Sequence, residues 1–556
     1  MTDKGRSKAM GAYYTDARVA EFLVAWAVRS ASDKVIDPSF GQGVFLKAAC
    51  ERLVSLGGEP QVQVHGVELD ADEYGAALRG LRKDFGLSER TLLQGDFFEL
   101  DQGSEPVDVV VGNPPFIRYQ RFSGPVRQRA LRRAASHGVR LSELTSAWAP
   151  FLVHAMSVVG AGGRLAMVVP FELSYATYAR PVLRHLADTF GSVILLTFRQ
   201  SLFPRLNEKT MLLLAEDKGE ASTAFKWRDL ESSEELARLS RGNGLVRIPR
   251  ISALDHKKLC RAEMRLIEYL LPPKVRGLYS RLRELRQVTE LGELADAGIG
   301  YVTGANDYFH FSPAKAQRWC IPQSFLTPAV RRGRALVGLR FTKRDWRQGL
   351  ASEDTGYLLT MDDWAQMPHE VQRYLAEGER SGVPRAYKCR VRTPWYRVPH
   401  VLKPDAFLTY MSGASPKLVH NTAKVVAPNT LHVVRMRRGC GLNGLQLAAL
   451  WQSSLTRLST EIEGHALGGG MLKLEPGEAK NVLIPLIGEA CGRDVVAELD
   501  ALYRQAGARE TRRVADDRFL RAGIGLSKQD CDLLQVGVET LLGRRYQKGK
   551  KQAHAV

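Results

Sequence analysis

Cysteine is scarce in this chain: seven in 556 residues, at positions 50, 260, 320, 389, 440, 491 and 531. They form no C-x-x-C pair and no spacing suited to zinc, so a disulfide-built fold is excluded, no metal is expected, and a reducing compartment fits best. Long apolar runs are missing too. The first twenty residues lack the apolar stretch of a secretory signal, and no run of about 18 uninterrupted apolar residues occurs, which argues against a membrane span and for a soluble, cytoplasmic protein. Proline is modest at 25 residues against 50 glycines, so the chain is neither collagen-like nor broadly disordered. With 44% hydrophobic and 25% charged residues it has material for two or three packed domains.

Charge divides the chain. Residues 1–250 carry 32 Lys and Arg against 29 Asp and Glu, whereas residues 251–556 carry 47 against 31. A near-neutral half beside a strongly basic one suits a catalytic domain joined to a polyanion-binding one, although a basic solvated surface would look the same by charge alone.

The first half alternates short apolar runs with helical patterns. Strands are expected at 34–37, 62–69, 92–96, 107–111, 165–169, 193–198 and 210–214, with helices at 44–56, 72–85, 147–159 and 178–190, where Gly162 and Gly163 end the third helix. This order predicts an α/β fold with a mostly parallel, doubly wound sheet. The alternation ends near 215, and a cluster of polar residues puts the domain boundary between about 230 and 290, taken as 1–245 and 246–556. The second half reads as mixed α+β with no detectable repeat, ending in a basic tail, 544–551, expected to be disordered.

Chemistry-bearing residues gather at strand ends, where such sheets bind ligands. Asp37, Gly41 and Gly43 follow the first strand, and the glycines let a ligand approach the backbone, although a tight turn alone would explain them. Glu68 ends the second strand and would accept two ribose hydroxyls. Asp96 ends the third and would accept an adenine amine hydrogen, the ring lying between Phe97 and Leu69. That set describes an adenosine-containing ligand without a phosphate-cradling loop, such as S-adenosylmethionine. The fourth strand ends in Asn113, Pro114, Pro115 and Phe116. Proline fixes φ and removes a donor, so the Pro114 carbonyl and the Asn113 amide oxygen are two acceptors for one amino group, with Phe116 a flat face beside them.

These residues, in this order, resemble the gamma-type N6-adenine DNA methyltransferases of bacterial restriction-modification systems, of which the TaqI enzyme is the type. Residues 12–15, ending in Thr15, resemble the family's N-terminal cofactor motif, and 37–46 resemble its D-P-A-C-G-S-G-x-F-L loop, with Ser39, Phe40 and Gln42 as departures. Asp16 stands where proline is usual, and 202–204 resemble the V-F-P segment, which implies that Phe203 packs on an extruded target base. Segments around 298–309 and 429–432 resemble target-recognition pieces.

The resemblance implies a Rossmann-like methyltransferase sheet with a C-terminal target-recognition domain, S-adenosylmethionine as methyl donor, and transfer to adenine N6 in double-stranded DNA after base flipping. Phe116 and Phe203 would stack on the base, catalysis would rest on Asn113, Pro114, Pro115 and Phe116, and Thr15, Asp37, Gly41, Gly43, Glu68, Leu69, Asp96 and Phe97 would hold the cofactor. Arginines at 118, 121, 127, 129, 132, 133 and 140, with no acid among them in 118–140, make Arg118, Arg121, Arg127 and Arg129 candidates for phosphate contact, the alternative being a solvated helix face.

Release-factor glutamine methylation, ribosomal RNA adenine methylation, cytosine N4 methylation and a non-catalytic DNA-binding specificity subunit are the rival readings. Few residues precede Tyr13, leaving no room for an N-terminal nuclease, so a stand-alone, monomeric enzyme with a separate cognate endonuclease, DNA-associated in a bacterial or archaeal cytoplasm, is expected.

Overall fold

The computed structural model describes residues 15–546 except 101–104, 201, 204–208, 223–224, 240–245, 247, 262, 362–366 and 488–490. Its residues divide into two compact units between Leu270 and Leu271. Among the described residues no helix is long and apolar enough to cross a membrane.

The first unit is built on one nine-stranded sheet. Its strands are β1 (Val35–Asp37), β2 (Val64–Glu68), β3 (Leu92–Gln94), β4 (Val107–Gly112), β5 (Val159–Pro170), β6 (Phe190–Phe198), β7 (Thr210–Lys218), β8 (Phe225–Leu230) and β9 (Ser252–Leu254). They lie in the order β3-β2-β1-β4-β5-β7-β6-β8-β9. The five from β3 to β5 are mutually parallel, and β7 runs antiparallel to both its neighbours. Val109, Val110 and Val111 on β4 and Leu165 to Val169 on β5 are all fully buried, as continuous apolar strands in the middle of such a sheet must be.

Helices α1 (Ala17–Ala27), α2 (Val44–Leu56), α3 (Ala71–Phe85), α4 (Gly124–Ser136), α5 (Trp148–Val158) and α6 (Arg180–Thr189) connect the strands. Their ends follow local chemistry. Asp16, in the place of the usual proline, caps α1 by accepting from the Arg18 N–H at 3.0 Å. Asp70 caps α3 through the Asp72 and Glu73 N–H groups, and α3 stops at Gly86 in the left-handed region.

Three expectations shift. The predicted second strand begins with a helical turn, Pro60–Gln63, because proline at the first helical position takes the chain out of the sheet until Val64. Gly162 and Gly163 do not end a helix; they lie inside β5, which begins directly after α5. The sheet also continues past 215: β8 pairs parallel with β6, and β9 pairs antiparallel with β8. The boundary expected after residue 245 therefore lies before β9, and Leu254, Leu259, Leu266 and Tyr269 are buried in the first unit's core. The division between Leu270 and Leu271 falls inside the expected window of about 230 to 290, downstream of the cut taken at 245.

The second unit has a five-stranded sheet made of β10 (Ala295–Ile299), β11 (Arg340–Phe341), β12 (Ala406–Thr409), β13 (Leu418–Asn421) and β14 (Leu431–Met436), in the order β10-β14-β12-β13-β11. Its pairings are antiparallel except β11 with β13. Helices α7 (Gly444–Leu450), α8 (Ser454–Glu463), α9 (Arg493–Ala515) and α10 (Lys528–Tyr546) follow. Leu408, Val434, Leu447, Leu450, Leu499 and Phe519 share one core. The basic tail was expected to be disordered from 544; Arg544 to Tyr546 instead complete α10, and 547–551 lie outside the described residues.

Candidate active site

Parallel pairing aligns the carboxyl ends of β1, β2 and β4. Asp37 pairs with Gly66, and Ile36 with Val110, so the segments after Asp37, Glu68 and Gly112 emerge side by side. The connection from β1 to α2 turns at Gly43, whose φ of 79° lies in the left-handed region and whose Cβ would meet the Leu81 side chain at 3.1 Å. Glu68 shapes this loop directly. One carboxylate oxygen accepts from the Gly41 N–H and the other from the Asp70 N–H, each at 2.8 Å, which leaves further lone pairs on both oxygens.

Asp37 is fully buried, with Oδ1 accepting from the Ser39 N–H at 3.1 Å and Oδ2 bonded to nothing among the described residues. Burial pushes its carboxyl up to about 8, with the Glu68 charge adding to the rise and the Ser39 hydrogen bond opposing it. At the end of β4, Gly112 has φ 155°, and a Cβ there would lie 2.7 Å from Asp37 Oδ1. Only glycine brings the two strand ends this close.

Asn113 follows. Its amide nitrogen donates to the Thr15 hydroxyl at 3.2 Å, its backbone carbonyl accepts from the Ser39 hydroxyl at 3.3 Å, and its Oδ1 is buried without a partner among the described residues. The Thr15 contact fixes the amide so that its oxygen, not its nitrogen, faces the unsatisfied side. Two buried acceptor oxygens with no donor thus stand at the ends of neighbouring strands. Such atoms carry a desolvation cost of about 1–3 kcal/mol each unless a donor meets them, which marks the site as built for a ligand.

Asp96 caps a short helical turn, Phe97–Glu99, by accepting from the Phe98 N–H at 3.0 Å, and Arg129 lies 3.4 Å from its other oxygen. Leu69 is 57% exposed, but Phe97 is only 4% exposed, with its ring on Phe151 at 4.9 Å and on His154 at 4.5 Å. Burial pushes the His154 imidazole down to about 4, so it is neutral and donates from Nε2 to the Phe97 carbonyl at 3.1 Å. Of the two expected flanks, Leu69 presents an open face and Phe97 a packed one. Phe116 and Phe203 are 5% and 6% exposed, so a base that stacks on either ring first displaces something that now covers it. Pro114 is buried and Pro115 half-buried. Residues 12–14 of the N-terminal motif and Pro204 lie outside the described residues.

The arginine segment behaves differently from its sequence. No acid lies within its cluster, yet acids reach it from flanking segments: Arg127 pairs with Glu143 at 3.3 Å, and Arg129 pairs with Glu99 as well as Asp96. Arg133 forks onto the carbonyls of Phe98 at 2.8 Å and Leu100 at 3.1 Å. Arg129 and Arg133 dock α4 against the segment that carries Asp96, a positioning role with no signal in the sequence. Arg118 and Arg121 are exposed.

The N-6 DNA Methylase profile matches residues 2–216, and that of the C-terminal domain of the Type II methyltransferase M.Eco57I matches 263–520. The first part of the chain is thus similar to the N6 DNA methylases, and the second to the C-terminal domain of a Type II restriction-modification methyltransferase. The chain is similar to the Type II methyltransferase M.AccI of Acinetobacter calcoaceticus, 19% identical over 85% of this chain and 84% of that one. M.PaeR7I of Pseudomonas aeruginosa is 26% identical over 34% of this chain and 37% of its own length. Among solved structures, the DrdV–DNA complex superposes with a TM-score of 0.55 at 11% identity, covering 90% of this chain and 58% of that one.

S-adenosylmethionine is the methyl donor of the N6 DNA methyltransferases, and the residues present fit it. Asp37 offers a buried, unpartnered carboxylate oxygen suited to a cationic group, Gly41 and Gly43 open the backbone, and Glu68 and Asp96 offer acceptors on the next two strand ends. When bound, it supplies an electrophilic methyl group on a sulfonium.

Proposed function

We propose that this protein methylates adenine N6 within a specific duplex DNA sequence, as the modification enzyme of a restriction-modification or related defence system. The first unit is the catalytic domain, its sheet doubly wound and Rossmann-like; the second is a mixed α+β target-recognition domain. The enzyme acts as a monomer beside a separate endonuclease of the same specificity.

The observation that carries the reading is the Asn113 oxygen, a buried acceptor without a donor, held by the Thr15 hydroxyl and backed by a glycine that nothing larger replaces. Adenine N6 is a poor nucleophile because its lone pair is delocalised into the ring. Asn113 Oδ1 accepts one amine hydrogen and the Pro114 carbonyl the other, which favours a pyramidal nitrogen whose lone pair points away from both acceptors. A base within the duplex is out of reach of this pocket, so it is extruded and stacks on Phe116 and Phe203. Residues 271–546 carry 40 Lys and Arg against 28 Asp and Glu, and this surplus supports duplex binding by the second unit. Single-molecule sequencing of DNA from cells expressing the protein tests the proposal: N6-methyladenine at one recurrent sequence is the expected result, and N4-methylcytosine or unmodified DNA would overturn it.

A further inference from the structure

A second polar cavity lies in the second unit, outside everything assigned above. It has about 30 Å³ of open space, and its lining includes Lys417, Trp451, Gln452, Arg457, Tyr503 and Arg512. Three elements converge there: the approach to β13, the α7–α8 corner, and α9 at the point where Gly507, with φ 78° and ψ −174°, breaks the helix between Tyr503 and Arg512. That break turns the last stretch of α9 so that both side chains face one space.

The lining is cationic and under-satisfied. Among the described residues Arg457 donates once, to the Ala414 carbonyl at 3.3 Å, and its buried Nε meets no acceptor. No side-chain hydrogen bond or ion pair is found for Arg512 among the described residues. Among the described residues the Lys417 ammonium donates only to the Leu336 carbonyl, at 3.3 Å. Burial pushes the Arg457 guanidinium down to about 10, and the neighbouring Arg512 charge adds to the fall; burial lowers Arg512 and Lys417 as well.

Glu461 and Asp516 act on Arg457 and Arg512 through their charge, but their hydrogen bonds go to other groups. Glu461 binds both arms of Arg545, at 2.8 and 3.1 Å, and Asp516 accepts from the Ser454 N–H at 2.7 Å and its hydroxyl at 2.5 Å. The Asp516 charge, and after it that of Glu539, opposes the fall at Arg512, without a hydrogen bond to it among the described residues. Like charges held together in a part-buried pocket, with a guanidinium nitrogen lacking its acceptor, repel one another until an anion enters.

We infer that this pocket is a phosphate-binding site in which Arg457, Arg512 and Lys417 hold the oxygens of one phosphate group. Arginine forks match tetrahedral oxyanions, and lysine adds a point charge. Space of this size holds roughly two water-sized groups, enough to seat phosphate oxygens. The phosphate comes either from the DNA backbone, a source that rests on the function proposed above, or from a free phosphate or nucleotide, which does not.

The test uses the full chain with two probes, inorganic pyrophosphate and a duplex carrying the target sequence, against Arg457→Gln/Arg512→Gln and the charge-conserving Arg457→Lys/Arg512→Lys. Pyrophosphate binding that falls at least about tenfold in the Gln pair supports the site with a free-phosphate source. Duplex affinity that falls about tenfold, with a salt slope shallower by about 0.9 and no measurable pyrophosphate binding, assigns the source to the DNA backbone. If the Gln variant fails to fold, phenylglyoxal labelling of the wild type decides: either probe should shield Arg457 and Arg512, located by mass spectrometry. Unchanged binding of both probes in a folded Gln variant, or labelling unaffected by either, overturns the site. A wild type that binds pyrophosphate here but no duplex overturns the DNA reading and leaves the pocket standing.

Discussion

At the residue scale, the two tasks proposed for Asn113 and Glu68 sit at the ends of β4 and β2, on either side of β1. Asn113→Ala removes the acceptor proposed for the target amine, so methyl transfer should fall by at least 100-fold, about 2.7 kcal/mol of transition-state stabilisation, while cofactor affinity stays within a few-fold. Glu68→Ala frees the Gly41 and Asp70 N–H groups and should lose cofactor affinity first. Calorimetry on both variants checks the division; the opposite pattern would refute it. Asp37 adds a pH dependence. Its carboxyl, pushed up to about 8, favours the folded state in its neutral form, so its contribution to stability is complete below the ordinary carboxylate range and is lost as pH rises through about 8. A cationic group brought to Oδ2 favours the charged form, so cofactor binding should release a proton between about pH 5 and 8 and tighten with rising pH across that window. Calorimetry in buffers of different ionisation enthalpy reads the proton, and Asp37→Asn should abolish the release. The residues of this site were legible because strand ends carry few residue types for few reasons; the Thr15 contact that orients Asn113 was not, since it joins residues 98 apart in sequence.

At the scale of elements, patterns spanning a whole helix were easy to read and patterns spanning a strand edge were not. Residues 44–56 form a helix with the expected limits, bounded by left-handed glycines at both ends. By contrast, Gly162 and Gly163 look like a helix stop but lie within β5, where Gly163 lets the strand approach the Asp108 carbonyl. The arginines of 118–140 look like a free cationic face, yet Arg127 and Arg129 are paired with acids from outside that segment. Long-range pairing of this kind leaves no periodic trace. The C-terminal helix gives the clearest case. Arg545, read from sequence as part of a loose basic tail, is 3% exposed and forks onto Glu461 while also donating to the Gly413 carbonyl at 2.7 Å. Removing one partner of a buried pair strands the other charge, so Arg545→Ala should destabilise the second unit by about 3–5 kcal/mol, whereas Lys528→Ala, at the exposed start of α10, should have little effect. Denaturant unfolding of the two variants provides the comparison, and equal losses would show that α10 is held by its apolar face instead.

At the scale of the whole molecule, the charge asymmetry announced two units, but the place where one ends depends on β-pairing that composition does not encode. A fragment ending at residue 245 would lose β9, leaving the edge of β8 from Phe225 to Trp227 unpaired, and would uncover the core that Leu254, Leu259, Leu266 and Tyr269 close. A fragment ending at residue 270 keeps all of these. The shorter fragment should therefore aggregate or melt at lower temperature, while the longer one should fold and bind S-adenosylmethionine with near-native affinity, because every strand-end residue assigned to it lies before residue 98. Both should lack site-specific DNA affinity if the basic second unit reads the duplex. The full chain's affinity should fall steeply between low and physiological salt, since each phosphate contact contributes about 0.9 to the slope of log affinity against log salt. Thermal melting, calorimetry and a salt titration of duplex binding on the three proteins test these points separately. A 270-residue fragment that binds the target duplex as tightly as the full chain would move sequence recognition into the first unit, to exposed cations such as Arg121, and would leave the basic second half without its proposed partner.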